Sequence, residues 1–232
     1  MVARQTARDA LGLARRLTPH TRRAHQRLRL RAFVTRTRAA ALLADAYIDL
    51  DIADDVWIGS GARVTFEEGT HNLLHIGPGG SVGDRVSIQL KGGRIRLGPR
   101  VEIRRDCVLN VAGALQVHGD TPISWGSIIH CSNDIVLERM VGIAEQVTLA
   151  DSSHYFTEPE EHFWHNVRTG SIRIGANTWI CPKVTVTRGA DIGSHCIVGS
   201  NSVVVGKVAD GSLATGVPAT CRPLDLPWRS AP

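Results

Sequence analysis

The chain has 232 residues, of which 43% are hydrophobic and 5% aromatic, with 23 glycines. That is enough apolar material for one sizeable core, and few aromatics with many glycines suit short strands and tight turns. No run of about 18 apolar residues occurs, so no transmembrane helix is read. The five cysteines (107, 131, 181, 196 and 221) form no CxxC pair, which argues against a disulfide framework and for a reduced, cytoplasmic protein.

The net charge of +5 averages two unlike parts. Residues 1–40 hold eleven Arg and one acid, Asp9, a formal +10; the other 192 hold sixteen basic and twenty-one acidic groups, a formal −5. Residues 1–46 are therefore set apart as a basic, helical extension with solvated arginines. The extension has no interleaved aromatics and no recognition motif, so no nucleic acid is expected as a partner. A weak contact with an anionic membrane surface fits its charge. It is Arg-rich and acid-poor, as organelle-targeting peptides are, and has no secretory apolar region of the usual length.

From residue 47 the chain repeats with a period of six. Ile52, Ile58, Val64, Thr70, Ile76, Val82 and Ile88 form one series; Leu97, Ile103, Leu109 and Leu115 another; Cys131, Leu137, Ile143 and Leu149 a third. The register slips near 89–96 and 116–130, where Gly-Gly and Thr-Pro predict bends or loops. Six is neither the helical 3.6 nor the plain strand period of two. It fits a flat face with one aliphatic pointing inward and a turn at each corner, three faces closing a triangular coil and coils stacking into a solenoid.

The period fails between Leu149 and Ile172. This segment holds His154, His162, His165, Tyr155, Phe156, Phe163, Trp164 and four acids including Asp151. A structureless excursion of that length from a compact solenoid is uncommon and usually functional. It is expected to project toward a neighbouring chain.

After the gap the hexad is strict: Ile174, Ile180, Val186, Ile192, Val198 and Val204, with Gly at 175, 193 and 199 taken to relax the backbone and a small or β-branched residue four places after each aliphatic. Residues 223–232 are a tail beyond the last coil.

The sequence "ADSSH", a loop, "IRIGANTWI", two further coils, "VVVGKV" and "GVPA" resembles the hexapeptide-repeat acyltransferases over residues 50–222. The branch it looks most like contains the galactoside, maltose and polysaccharide O-acetyltransferases. The resemblance implies a left-handed parallel β-helix at 47–222, with a protruding loop at 150–172. It also implies a homotrimer with acetyl-CoA or another acyl-CoA as donor, bound between subunits, and no metal.

In that family a histidine opening this loop is the catalytic base, and His154 is the matching residue. An imidazole suits the removal of a hydroxyl proton near neutral pH. Asp151 is close enough in sequence to orient it, but its side-chain direction is not legible. Trp179 matches an aromatic that lines the pantetheine groove, although "WIC" puts Cys181 where glycine is usual. Gly199 and Ser200 match a coil whose backbone meets the pantetheine amides, and Lys207 and Arg222 are displaced cations for the CoA phosphates.

The reaction implied is O-acylation of a hydroxyl on a sugar, glycan or glycosylated metabolite. The alternatives are an N-acyltransferase on an amino sugar or small metabolite, and a non-catalytic trimeric scaffold with a relic donor site. A Cys- or Ser-based hydrolase is disfavoured, since no Cys lies near the loop and Ser152 and Ser153 lack a nucleophile motif. A zinc site would need His118, His130 and His154 to converge.

Overall fold

The computed structural model describes residues 19–160, 162, 164 and 166–225. The first 18 residues of the basic extension, and 226–232 of the tail, lie outside the described residues. Helix α1 spans Pro19–Leu43, with no acid in its first turn and no base in its last. Nothing in its sequence complements the helix dipole, so packing has to hold it. Leu30, Phe33, Thr37 and Ala41 lie along one stripe and are buried. Phe33 joins the core cluster of Val56, Ile58, Ala62 and Val64. The end coil of a solenoid would otherwise leave its apolar interior open to water. Asp45 at φ 49° ends the helix, and the Ala46 N–H returns 2.9 Å to the Ala41 carbonyl.

The body is a left-handed β-solenoid of about seven turns. Each turn contributes strands to three sheets, here called faces A, B and C, of eight, nine and seven strands, all parallel except the last strand of face B. Face A begins with Tyr47–Ile52, face B with Trp57–Ile58 and face C with Arg63–Phe66. The only antiparallel pairings among the described residues are a terminal hairpin, Ser212–Gly216 with Ala219–Pro223, and a short ribbon, Ser152–His154 with Val167–Thr169.

The coils are of unequal length, which the hexad does not anticipate. Face A pairs Ile52 with Ile76, Ile76 with Leu97, Leu97 with Val117 and Val117 with Leu137. Toward the C-terminus it pairs Ile174 with Ile192 and Ile192 with Val208. Only the coil from Ile174 to Ile192 is three hexads long. Thr70 is not a core position: its hydroxyl bonds the Glu67 carbonyl at 2.6 Å in a corner that lengthens the first coil.

The bends expected at 89–96 and 116–130 occur, at 91–92 and 119–120, but as ordinary corners between strands rather than as breaks in the solenoid. Ser87–Leu90, Arg94–Leu97, Pro122–Ile123 and Ile128–Cys131 are strands in unbroken register. In these coils faces A and C each bury two aliphatics with one residue between, as with Leu109 and Val111, then Leu115 and Val117. A local period of two widens the faces at their common corner.

The glycines after the aliphatics also have a different reason from the one expected. Gly175 does not have positive φ; a Cβ there would lie 2.5 Å from the Ser194 backbone nitrogen of the next coil. Close approach of the next coil, not backbone freedom, demands glycine there.

Candidate functional site

The excursion at 151–171 is not structureless at its base. Face C delivers Thr148–Ala150, and the next residue, Asp151, falls where earlier coils place Leu90, Val111 and Cys131. It is fully buried. Its carboxylate accepts the Ser132 N–H at 2.7 Å and the Asn133 N–H at 2.8 Å, and its carbonyl accepts the Gly170 N–H at 2.8 Å. These charge-assisted bonds clamp both ends of the excursion to the preceding coil. Asp151 therefore anchors the arm rather than turning toward His154. An acid occupies a slot that three earlier coils fill with an apolar residue, an equivalence that only the strand register reveals.

From this clamp the ribbon rises with Ser152 opposite Thr169, Ser153 opposite Arg168 and His154 opposite Val167. Alternation along a strand sends Ser152 and His154 to one side and Ser153 to the other. Ser153 accepts a 2.7 Å hydrogen bond from Nε of Arg188, on the following coil. Ser152 meets the Ser132 hydroxyl at 3.1 Å, on the preceding coil. The face carrying His154 thus looks back toward the earlier coils. Its imidazole meets the edge of Trp164 at 5.6 Å, with ring planes at 82°, and His162 stacks on the same indole at 6.1 Å. On the opposite ribbon face the Arg168 guanidinium lies 4.1 Å over Tyr155. His165 and Phe163 lie outside the described residues.

Trp179 lies on face B and is 54% exposed, pointing outward. A Cβ on Gly142 would touch the indole at 3.5 Å, so the preceding coil leaves room for the ring. Trp179 is in register with Ile197, Ile197 with Leu213 and Leu213 with Arg222. Across these four strands the Trp179 and Arg222 backbones lie about 14 Å apart, with Ile197 and Leu213 between them. Gly199 and Ser200 lie at the corner of faces B and C. A Cβ on Gly199 would meet the Thr215 side chain at 2.7 Å. Cys181 is half-buried and hydrogen-bonded to the Ser200 side chain; burial raises its pKa.

Lys207 is on face A, paired in register with Asp191. The fold therefore gathers Trp179, Gly199, Ser200 and Arg222 on face B and its corner, and sets Lys207 on another face. His154 sits at the corner of faces C and A. A single chain does not bring the six together.

The remaining alternatives lose ground in the same geometry. Burial pushes the Cys107 thiol up to about 11 and the Cys131 thiol up to about 12, so neither is an activated nucleophile. His118 lies 3.5 Å from Glu138 at the corner of faces A and B, while His130 points outward from face C. Among the described residues no three His, Cys, Asp or Glu groups are placed to hold a metal ion. No described helix is long and apolar enough to cross a membrane. Below the arm lies a recess of about 250 Å³, lined by polar side chains including Lys91, Asn110, His130 and Ser152.

Residues 171–206 match the family described as "Bacterial transferase hexapeptide (six repeats)". The chain is 30% identical over 179 residues to Rv3034c of Mycobacterium tuberculosis, named as a probable acetyltransferase; the match covers 76% of this chain and 52% of that protein. Over 93 residues it is 30% identical to WbbJ of Escherichia coli K12, whose name places it in lipopolysaccharide biosynthesis as an O-acetyl transferase; 37% of this chain and 47% of that protein are covered. The chain thus spans about half the length of the curated relatives it matches. Among solved structures it resembles AntD, an N-acyltransferase from Bacillus cereus in complex with dTDP and 3-hydroxybutyryl-CoA. The TM-score is 0.53 at 16% identity, over 80% of this chain and 85% of that one, a likeness of fold alone. The repeat, the three-faced solenoid and these relatives agree: the chain carries a hexapeptide-repeat, left-handed β-helix and resembles the acyltransferases built on it.

Proposed function

We propose that the protein is an acyl-CoA-dependent O-acyltransferase acting on a hydroxyl of a sugar, glycan or glycosylated metabolite, with His154 as its general base. The observation that carries this reading is the placement of His154. It stands on a ribbon clamped by Asp151 and braced by Ser153 and Arg188, on the same strand face as Ser152, which lines a polar recess. Such a base takes the proton of the acceptor hydroxyl as its oxygen attacks the thioester carbonyl. The new C–O bond forms, the C–S bond breaks, and the imidazolium returns the proton to the departing thiolate. No covalent enzyme intermediate is needed, because the donor is already activated.

The strip from Trp179 through Ile197 and Leu213 to Arg222 suits an extended acyl-CoA arm, with an apolar run ending at a cation for a phosphate. Gly199 and Ser200 lie beside that strip. Because His154, Lys207 and Trp179 stand on different parts of the prism, a homotrimer is the assembly that would let neighbouring copies complete the site. The O-acyl preference leans on the name of WbbJ; the likeness to AntD keeps N-acylation as the second reading.

Arg23, Arg27, Arg31, Arg36 and Arg38 are exposed on α1. They support the further reading that this end rests weakly against anionic lipid.

Thiol release from acetyl-CoA with a panel of sugars tests the reaction. His154→Ala should lower kcat by about 10²–10⁴ while acetyl-CoA still binds; a variant with wild-type turnover would remove His154 from the role. A product acyl group that survives mild alkali would assign the amide instead. Light scattering of the full chain checks the trimer, and flotation with anionic vesicles checks the lipid contact.

A further inference from the structure

We infer that the recess beneath the arm is the acceptor site and that Lys91 makes it selective for a saccharide bearing an anionic substituent, a carboxylate or a phosphate. The inference rests on His154 being the base and adds what that base acts upon.

Three features of the recess lead there. It lies on the early-coil side of the ribbon, which is the side His154 shares with Ser152. The two side chains stand about 6.6 Å apart along the strand, so a ring seated against Ser152 has a hydroxyl within reach of the imidazole. The recess encloses about 250 Å³, below the roughly 300–1,000 Å³ of drug-sized pockets, and suits one small polar ring.

The second feature is how the walls are built. On face C, Gln89, Asn110, His130 and Ala150 occupy one outward column in register. Three polar side chains are followed by a methyl group where the arm departs. The small residue leaves the clearance that makes the recess.

The third feature is charge. The lining offers the Lys91 ammonium, the Asn110 amide, the His130 ring and the hydroxyls of Ser132 and Ser152, and contains no carboxylate. No hydrogen bond or ion pair among the described residues uses the side chains of Lys91, Asn110 or His130. The nearby acids are otherwise placed: Asp151 is buried and bonded to backbone amides, Asp134 is half-buried at the start of the next face A strand, and Glu67, beside Lys91 on the preceding coil, is exposed and makes no ion pair with it. A half-buried, unpaired ammonium beside neutral donors favours an anion over a neutral ring.

The test is binding to the full chain by saturation-transfer NMR and titration, without turnover. The probes are methyl glucuronide, glucose 1-phosphate and methyl glucoside. At least one anionic probe should bind about tenfold more tightly than the glucoside. Lys91→Gln should abolish that preference, Lys91→Arg should keep it, and Asn110→Asp should reduce it by opposing charge. His154→Ala should leave it intact.

Equal binding of all three probes, no binding of either anionic probe, or an anion preference that survives in Lys91→Gln would overturn the inference. The base assignment is separately exposed: wild-type turnover in His154→Ala would sink it while leaving the recess result standing.

Discussion

Replacing Asp151 with Asn tests the claim that one buried carboxylate holds the arm. The two side chains are nearly isosteric, so packing in the column above Cys131 is preserved. The chemistry is not: the carboxylate accepts two backbone N–H groups, from Ser132 and Asn133, at 2.7 and 2.8 Å. An amide can accept only one of them and turns an NH₂ toward the other. One charge-assisted bond is lost and a buried donor is left facing a donor, together worth about 2–4 kcal/mol. If the chain melted as one unit, Tm would fall by roughly 4–16 °C. A solenoid couples mainly neighbouring coils, so the loss should concentrate locally. Amide exchange read residue by residue is therefore the sharper assay. Protection of Ser132, Asn133 and Gly170 should fall roughly 30- to 800-fold, with coils near α1 unchanged. Unchanged protection at these three amides, with unchanged Tm, would refute the clamp.

Phe33→Ala should destabilise by about 3–5 kcal/mol, seen as a lower unfolding midpoint in denaturant, because the ring closes the end of the core at 1% exposure. In the folded protein, iodoacetamide at pH 8 should label exposed Cys221 before Cys107 and Cys131, whose thiols are buried and pushed up to about 11 and about 12; peptide mass mapping reads the order. The hydrogen bonds from Arg100 hold the Asp120 carboxyl below its usual range against opposing desolvation, with a further hydrogen bond from Arg139. A depressed carboxylate contributes stability above its unfolded pKa, near 3.9, and that contribution disappears as pH falls through the lower folded value. Asp120→Asn should therefore lose a little stability at pH 7 and less at pH 2, and added salt should shrink the difference, since the pair is exposed.

Much of the solenoid was legible before any coordinates. Inward positions of a stacked coil tolerate only aliphatic or small side chains, so Ile174 through Val204 announce three faces by spacing alone, and the same pattern places Trp179 outward beside Ile180. The excursion after Leu149 was visible as a break, and its histidine as the residue at the break. The longer early coils were not legible as coils. Their extra residues follow a period of two, and in one dimension two superposed periods look like lost register; only strand pairing separates Leu109 and Val111 from the hexad.

What tertiary structure alone decided is direction and company. Asp151 turns inward because the corner of the preceding coil presents two amide donors there, a fact about Ser132 and Asn133 that no local pattern carries. Ser152 and Ser153 are adjacent in the chain yet face opposite coils, which is what gives His154 a side. Lys207 and Trp179 are separated by 28 positions and by a prism edge, because coil length, not sequence distance, determines which face a residue occupies. The repeat determines that the chain must coil; the stacking of unequal coils determines which chemistry ends up within reach of the histidine.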